Sequence, residues 1–125
     1  MVDRLLMGSL EARKIQIANP VSFVAQKVLI HEERKREDRA KDILYIHDTL
    51  EVFGARLQEL QELWRRIVSP QLHARSVKIM SKASDVLFGN VSDDIRRAAQ
   101  ISDQRGLSPE AIREAGQYGF IQVFR

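Results

Sequence analysis

The chain has 125 residues, 44% of them hydrophobic, with 20 basic and 17 acidic side chains and a formal net charge of +3 at pH 7. This length fits one domain with a modest core, and the small positive excess indicates tolerance of polyanions, not a dedicated nucleic-acid binder. The lack of cysteine excludes disulfides, thiolate metal sites and a cysteine nucleophile. With no signal-peptide pattern and no apolar run near the roughly 20 residues of a membrane span, we expect a cytoplasmic protein without membrane contact.

Five or six helices are predicted after a short N-terminal arm. The arm covers residues 1–18, because polar and apolar residues alternate briefly from Ala12 to Ala18, which is typical of a short strand or extended segment. The helices are expected at about 20–33, 38–53, 55–68, 71–88, 93–106 and from 109 onward, where apolar residues recur at helical spacing. These segments predict an all-α fold, a bundle of five to six helices forming one domain over residues 1–125.

Capping residues and prolines mark several of these boundaries. Asn19 precedes Pro20 at the start of the first helix, and Ser108 precedes Pro109 at the start of the sixth. Pro70 is expected to break the third helix. The apolar tail from Tyr118 to Phe124 is predicted either to extend the sixth helix or to form an edge strand, and to serve as core or as a docking tail.

The first two helices, residues 19–54, are predicted to pair as a hairpin around a charged turn. From a rise of about 1.5 Å per residue, Lys27 on the first helix and Asp42 on the second fall at similar height and can face one cleft. Phe23 lies one helical turn before Lys27 and would close one side of that cleft. The plainer alternative is a surface ion pair between Lys27 and Asp42, which contributes roughly 0–1 kcal/mol and implies no chemistry.

The segment from Pro20 to Ile46 resembles the C-terminal motifs of the abortive-infection (AbiEii-type) nucleotidyltransferases and their uncharacterised relatives. Those motifs place a lysine on one helix, basic residues in the following turn and an aspartate at the start of the next helix. Lys27 matches the lysine and Asp42 matches the aspartate. The resemblance implies that Lys27 contacts nucleotide phosphates and that Asp42 orients either the lysine or the acceptor group, which makes these two the candidate catalytic residues.

The resemblance also implies a nucleotide-binding role for basic residues near the turn. The family's intervening arginine corresponds to either Arg34 or Arg39, and Lys41 is a third candidate contact. A complete enzyme of that family uses Mg²⁺ and a nucleoside triphosphate, with the metal held near a Gly-Ser motif by two aspartates. Gly8-Ser9 is present, but no aspartate follows at that spacing.

We therefore expect a domain that contributes phosphate contacts, is not catalytic alone, and holds no metal through its own residues. The alternative is a non-catalytic helical module for protein–protein interaction or dimerisation. In that case the apolar helix faces or the aromatic tail would contact a partner chain or a second copy.

A basic segment follows in the second half of the chain. Residues 65–84 contain no acidic residue, and their cations are Arg65, Arg66, Arg75, Lys78 and Lys82. The last three fall on one strip of the predicted fourth helix, so the segment is a candidate contact for RNA or a nucleotide, or else a solvated face. Aromatic residues make up only 6% of the chain, so base-stacking platforms are not expected.

Overall fold

A computed structural model of the protein describes residues 19–125, which form six α-helices joined by short turns. The helices are α1 (Pro20–Ile30), α2 (Arg36–Val52), α3 (Leu57–Leu63), α4 (Ala74–Phe88), α5 (Asp93–Ile101) and α6 (Pro109–Phe124). No strand occurs in this range. The all-α prediction is confirmed, whereas the predicted arm over residues 1–18 lies outside the described residues. None of the helices described is both long and apolar enough to cross a membrane.

Side-chain caps start α1, α5 and α6, and those at Asn19 and Ser108 are predicted from the sequence. Asn19 and Ser22 form a capping box, in which Asn19 Oδ1 accepts from the Ser22 N–H (2.9 Å) and Ser22 Oγ accepts from the Asn19 N–H (3.2 Å). Ser92 and Ser108 each accept a bond from the backbone N–H three residues ahead, at 3.2 and 3.0 Å. These bonds satisfy N–H groups that the first helical turn leaves unpaired.

The third predicted helix differs from expectation in its second half. α3 ends at Leu63, and Trp64–Val68 continues as a π-helical turn in which the Ser69 N–H bonds to the Trp64 carbonyl. A short 3₁₀ turn, Ser69–Gln71, follows and contains Pro70. Proline lacks the N–H that an α-helix needs, so the break near Pro70 is confirmed.

The C-terminal tail is helical, which decides between its two predicted forms. α6 runs to Phe124 and packs against α2, α3, α4 and α5 at the centre of the bundle. Phe120 lies with its ring 5.5 Å from that of Phe88 and 5.0 Å from that of Phe124, and Trp64 meets Phe124 edge-on at 5.0 Å. The tail therefore supplies core side chains, and only Tyr118 among its aromatic residues is exposed.

Two glycines let α6 approach its neighbours closely. A Cβ added at Gly116 would lie 2.4 Å from the Phe88 ring, and one added at Gly119 would lie 2.8 Å from a methyl group of Leu50. Both positions are buried. The absence of a side chain at these positions brings α6 directly against α4 and α2.

Helix α1 is held by several elements of the bundle. It packs against α2, α3, α4 and the π-helical turn, and its apolar side chains belong to the same core as those of α6. Helices α1 and α2, which the sequence analysis assigns to one hairpin, are thus in contact within the bundle. This packing fixes the position of Lys27 relative to α2.

Candidate functional site

Asp42 lies in the second turn of α2 with its side chain 0% exposed, and two cations converge on it. The Lys27 Nζ atom is 3.2 Å from Asp42 Oδ1. Arg34 donates from Nε to Oδ2 at 2.9 Å and from Nη2 to Oδ1 at 3.3 Å. Lys27, Arg34 and Asp42, which we call the Asp42 cluster, thus face one site between α1 and α2.

The backbone of the turn explains how three residues so far apart in sequence meet. α1 ends at Ile30, a 3₁₀ turn covers His31–Glu33, and Arg34 then adopts an extended conformation (φ −75°, ψ 150°) before α2 begins. The reversal at this turn brings the Arg34 guanidinium back to a carboxylate eight residues ahead. Lys27 lies in the last turn of α1, where the helix dipole favours a cation.

The surroundings of Lys27 are largely apolar. Its Nζ atom lies 5.6 Å from the centroids of both the Phe23 and the Tyr45 rings, within the range of cation–π attraction. The Lys27 side chain is 17% exposed and that of Arg34 is 34% exposed. Both cations are thus partly exposed, whereas the carboxylate that they contact is fully buried.

Charge balance in the Asp42 cluster leaves one positive charge in excess, because two cations share a single carboxylate. An ammonium group has three N–H donors, and Asp42 is the one charged partner of Lys27 in the described part of the chain. Both oxygens of Asp42 already face a cation. Asp42 thus positions both cations.

A second ion cluster lies beside the first and contains Arg39. Arg39 Nε is 3.2 Å from Asp94 Oδ2 on α5, and Arg39 Nη1 donates to the Arg34 carbonyl at 3.2 Å. His31 Nε2 is 3.4 Å from the same Asp94 oxygen. Of the two candidate arginines, Arg34 contacts Asp42, whereas Arg39 joins the hairpin to α5.

Lys41 does not join either cluster. It is exposed on α2 next to the buried Asp42 and forms no ion pair with residues 19–125. Of the five predicted site residues, the structure therefore groups Lys27, Arg34 and Asp42, places Arg39 in the neighbouring ion pair, and leaves Lys41 in solvent.

Asp94 is a residue of this site that the sequence analysis missed. The only signal is its position in the first turn of α5, where a carboxylate is explained by the helix dipole alone. Its partner Arg39 is 55 residues away in sequence. Nothing in the local pattern predicts this contact.

Burial governs the protonation of His31. The side chain is largely buried, and no residue within the described range bonds to its Nδ1 atom. Burial lowers the pKa of His31 below its ordinary value of 6.5, although the neighbouring Asp94 carboxylate acts in the opposite direction. The folded protein therefore favours neutral His31.

Acidification is expected to destabilise the protein through His31. Because its folded-state pKa is lowered, the unfolded chain takes up the proton first as pH falls, and stability is lost below about pH 6.5. Thermal unfolding of the wild type and His31→Gln between about pH 7.5 and pH 5.5 tests this, since His47 and His73 are present in both proteins. The wild type should lose more stability over that range than the variant. Parallel curves would contradict the assignment.

An open groove of about 350 Å³ adjoins the Asp42 cluster between α1 and α2. Its lining residues are Phe23, Tyr45, Asp48, Thr49, Val52 and Phe53. Arg105 binds Asp48 through two hydrogen bonds (2.8 and 3.0 Å), and these bonds lower the pKa of the Asp48 carboxyl group. The groove is therefore mostly apolar. The Asp48 carboxylate in its lining is paired with Arg105, and two of the lining rings, Phe23 and Tyr45, also contact the Lys27 ammonium.

No group of three or more His, Cys, Asp or Glu side chains suited to a metal ion occurs between residues 19 and 125. Comparison with protein-family models, with curated proteins and with solved structures gives no match. The geometry of the Asp42 cluster and of the groove beside it is thus the basis for a functional proposal.

Proposed function

We propose that this chain is a non-catalytic, cytoplasmic helical domain that contributes a phosphate contact to a nucleotide-binding site. Lys27 and Arg34 donate to the phosphate, and Asp42 positions them. The observation that carries this proposal is the convergence of both cations on one fully buried carboxylate. It agrees with the role that the sequence resemblance implies for Lys27 and Asp42.

Phosphate suits this arrangement on physical grounds. The cluster has one excess positive charge, and its cations are partly withdrawn from water, which strengthens their attraction for an anion. Phosphate oxygens accept charge-assisted hydrogen bonds from ammonium and guanidinium groups. Because Asp42 already fixes both cations, little additional ordering is needed when the phosphate binds.

The neighbouring groove suits the nucleoside part of the same ligand. Its volume of about 350 Å³ lies at the lower end of the range for small-molecule sites, roughly 300–1,000 Å³. The Phe23 and Tyr45 rings line the groove and also contact the Lys27 ammonium. A ligand with its phosphate at Lys27 would therefore place its base or sugar against these two rings.

Transfer of a nucleotidyl group would need metal-holding carboxylates in addition to these cations. We propose that another polypeptide supplies them, as the resemblance implies, and that the complete site uses Mg²⁺ and a nucleoside triphosphate. Within that site Lys27 would hold the phosphate chain, and Asp42 would keep the ammonium in place.

Calorimetric titration with nucleoside triphosphates and Mg²⁺ tests the proposal in the wild type, Lys27→Met and Lys41→Met. Methionine keeps most of the apolar stem of lysine and removes its charge. Losing a charged hydrogen bond of about 1.5–3 kcal/mol should weaken binding by roughly tenfold or more in Lys27→Met. Lys41→Met removes an exposed charge one residue from Asp42 and should bind as the wild type does.

Two results would overturn the proposal: no binding of any triphosphate by the wild type, or equal affinity in the wild type and Lys27→Met.

The second candidate function, dimerisation through the groove, would then gain support. It is favoured by the exposure of Val52 and Tyr45 at the groove. Sedimentation equilibrium would show a dimer that Val52→Glu disrupts.

A further inference from the structure

Three cations form a stripe along the exposed face of α4. Arg75, Lys78 and Lys82 follow each other at i, i+3 and i+7, so they lie within an arc of roughly 60°. All three are exposed. The opposite face of the same helix, including Met80 and Ala83, is buried in the bundle.

The three cations of the stripe have no carboxylate partner, unlike most arginines elsewhere in the described part of the chain. None of the three, nor Arg65, forms an ion pair with a carboxylate of residues 19–125, and Arg66 pairs with Glu62 at 2.8 Å. The described arginines outside the basic segment that do form such pairs are Arg34, Arg39, Arg56, Arg96, Arg105, Arg113 and Arg125. Lys35, Arg36, Lys41 and Arg97 also form no ion pair within residues 19–125, but the α4 stripe places three such cations on one helix face.

The charged turn of the hairpin makes a useful contrast. Residues 31–42 contain five basic and five acidic side chains, so their charges balance. Residues 65–84 contain five basic side chains and no acidic one. Because the potential around a surface follows its summed charge, α4 is the more attractive face for a polyanion.

From these observations we propose that Arg75, Lys78 and Lys82 bind the phosphate backbone of a nucleic acid. This proposal is independent of nucleotide binding at Lys27. The stripe is about 10 Å long at 1.5 Å per residue, which matches about three phosphates at roughly 3.4 Å per nucleotide along a duplex strand. α4 carries no exposed aromatic side chain, so the contact is to the backbone and not to the bases.

An anionic membrane is the competing polyanion, and the fold disfavours it. A helix that lies on a membrane buries an apolar face in the lipid. The apolar face of α4 is instead packed against α1 and α6 within the bundle. The exposed residues of α4 are the three cations, Ala74, Asp85 and Val86, and Val86 is the only large apolar side chain among them.

Fluorescence anisotropy with labelled single-stranded RNA, an RNA hairpin and DNA of the same sequences tests the proposal. The stripe variant Arg75→Gln/Lys78→Gln/Lys82→Gln is compared with the control variant Lys35→Gln/Arg36→Gln/Lys41→Gln. Each variant removes three exposed positive charges, so both have the same net charge. Only the first removes them from the stripe.

We expect the wild type to bind with a Kd of about 10⁻⁴–10⁻⁶ M and with a slope of log K against log salt near −2 for single strands. The stripe variant should bind at least about tenfold more weakly, and its slope should approach zero, because each lost phosphate contact reduces the slope for a single strand by about 0.7. The control variant should bind nearly as the wild type does. A single variant, Lys82→Gln, should show an intermediate slope and is the fallback if the triple variant does not fold.

Equal losses in the stripe and control variants would overturn the proposal, since net charge alone would then explain binding. The absence of wild-type binding to RNA or DNA at 50 mM salt would also overturn it. So would binding to vesicles rich in anionic lipid without binding to either nucleic acid. A difference in affinity between RNA and DNA of the same sequence would show which nucleic acid the stripe binds more tightly.

Discussion

Replacing Asp42 by asparagine is expected to lower the free energy of unfolding by about 3–5 kcal/mol, the cost of removing one partner from a buried ion pair. The substitution leaves Lys27 and Arg34 facing each other across a site from which the carboxylate charge has gone. Domains of this size are stable by only about 5–15 kcal/mol, so the variant should unfold at much lower urea concentration. Urea unfolding followed by circular dichroism measures the change.

Two further variants test whether the loss of stability is specific to the Asp42 cluster. Glu37→Gln removes an exposed carboxylate from the same helix and should change stability by less than about 1 kcal/mol. Lys27→Met/Arg34→Met/Asp42→Leu removes the whole cluster and should recover much of the stability, since neither cation is then left without its carboxylate. A loss below about 1 kcal/mol in Asp42→Asn would instead match an ordinary surface pair.

Truncating Phe120 to alanine is expected to destabilise the protein by about 3–5 kcal/mol, as for other buried phenylalanines. Phe120 is 1% exposed and packs its ring against Phe88 and Phe124 at the centre of the bundle. The neighbouring helices are already in close contact at Gly116, so they cannot readily move inward to fill the cavity. Differential scanning calorimetry should show a large drop in melting temperature.

Tyr118→Ala provides the matched control on the same helix. Tyr118 is 62% exposed, and its truncation should change stability by no more than about 1 kcal/mol. Similar losses in both variants would mean that α6 does not present Phe120 and Tyr118 to different environments. That result would contradict the position of the tail in the core.

Much of the hairpin geometry was predictable because it depends on local rules. Asn19 and Pro20 mark the start of α1, and the fixed rise of a helix sets Lys27 level with Asp42. The observed distance of 3.2 Å between their charged groups agrees with that reasoning. The buried state of Asp42 was not predictable, since it depends on how the rest of the bundle covers α2.

Local sequence does not determine which of Arg34 and Arg39 contacts Asp42. Both arginines lie close to the turn, and a long side chain in either position could reach Asp42. The extended backbone at Arg34 directs its guanidinium to Asp42, whereas Arg39 on α2 meets Asp94 on α5. That second contact depends on the packing of α5 against α2, which the sequence pattern does not reveal.

The secondary structure of the tail and the π-helical turn also could not be predicted from the sequence pattern. Apolar residues from Tyr118 to Phe124 fit a helix or a strand, because a short apolar run has no decisive period. Its helical form follows from the close packing of α6 on α2 and α4 at Gly119 and Gly116. The π-helical turn at Trp64–Val68 depends on altered spacing of the backbone hydrogen bonds, for which the side-chain pattern carries no signal.

The most direct test of the account is nuclear magnetic resonance of the protein with isotope-labelled lysine, observed at Nζ and Cε during titration with MgATP and other magnesium nucleotides. Lys27, Lys41, Lys78 and Lys82 report separately on the Asp42 cluster, the solvent-exposed side of α2 and the basic stripe. We predict saturable shifts at Lys27 with little change at Lys41. An unchanged Lys27 signal, whether or not Lys78 and Lys82 respond, would contradict a phosphate site built by Lys27, Arg34 and Asp42.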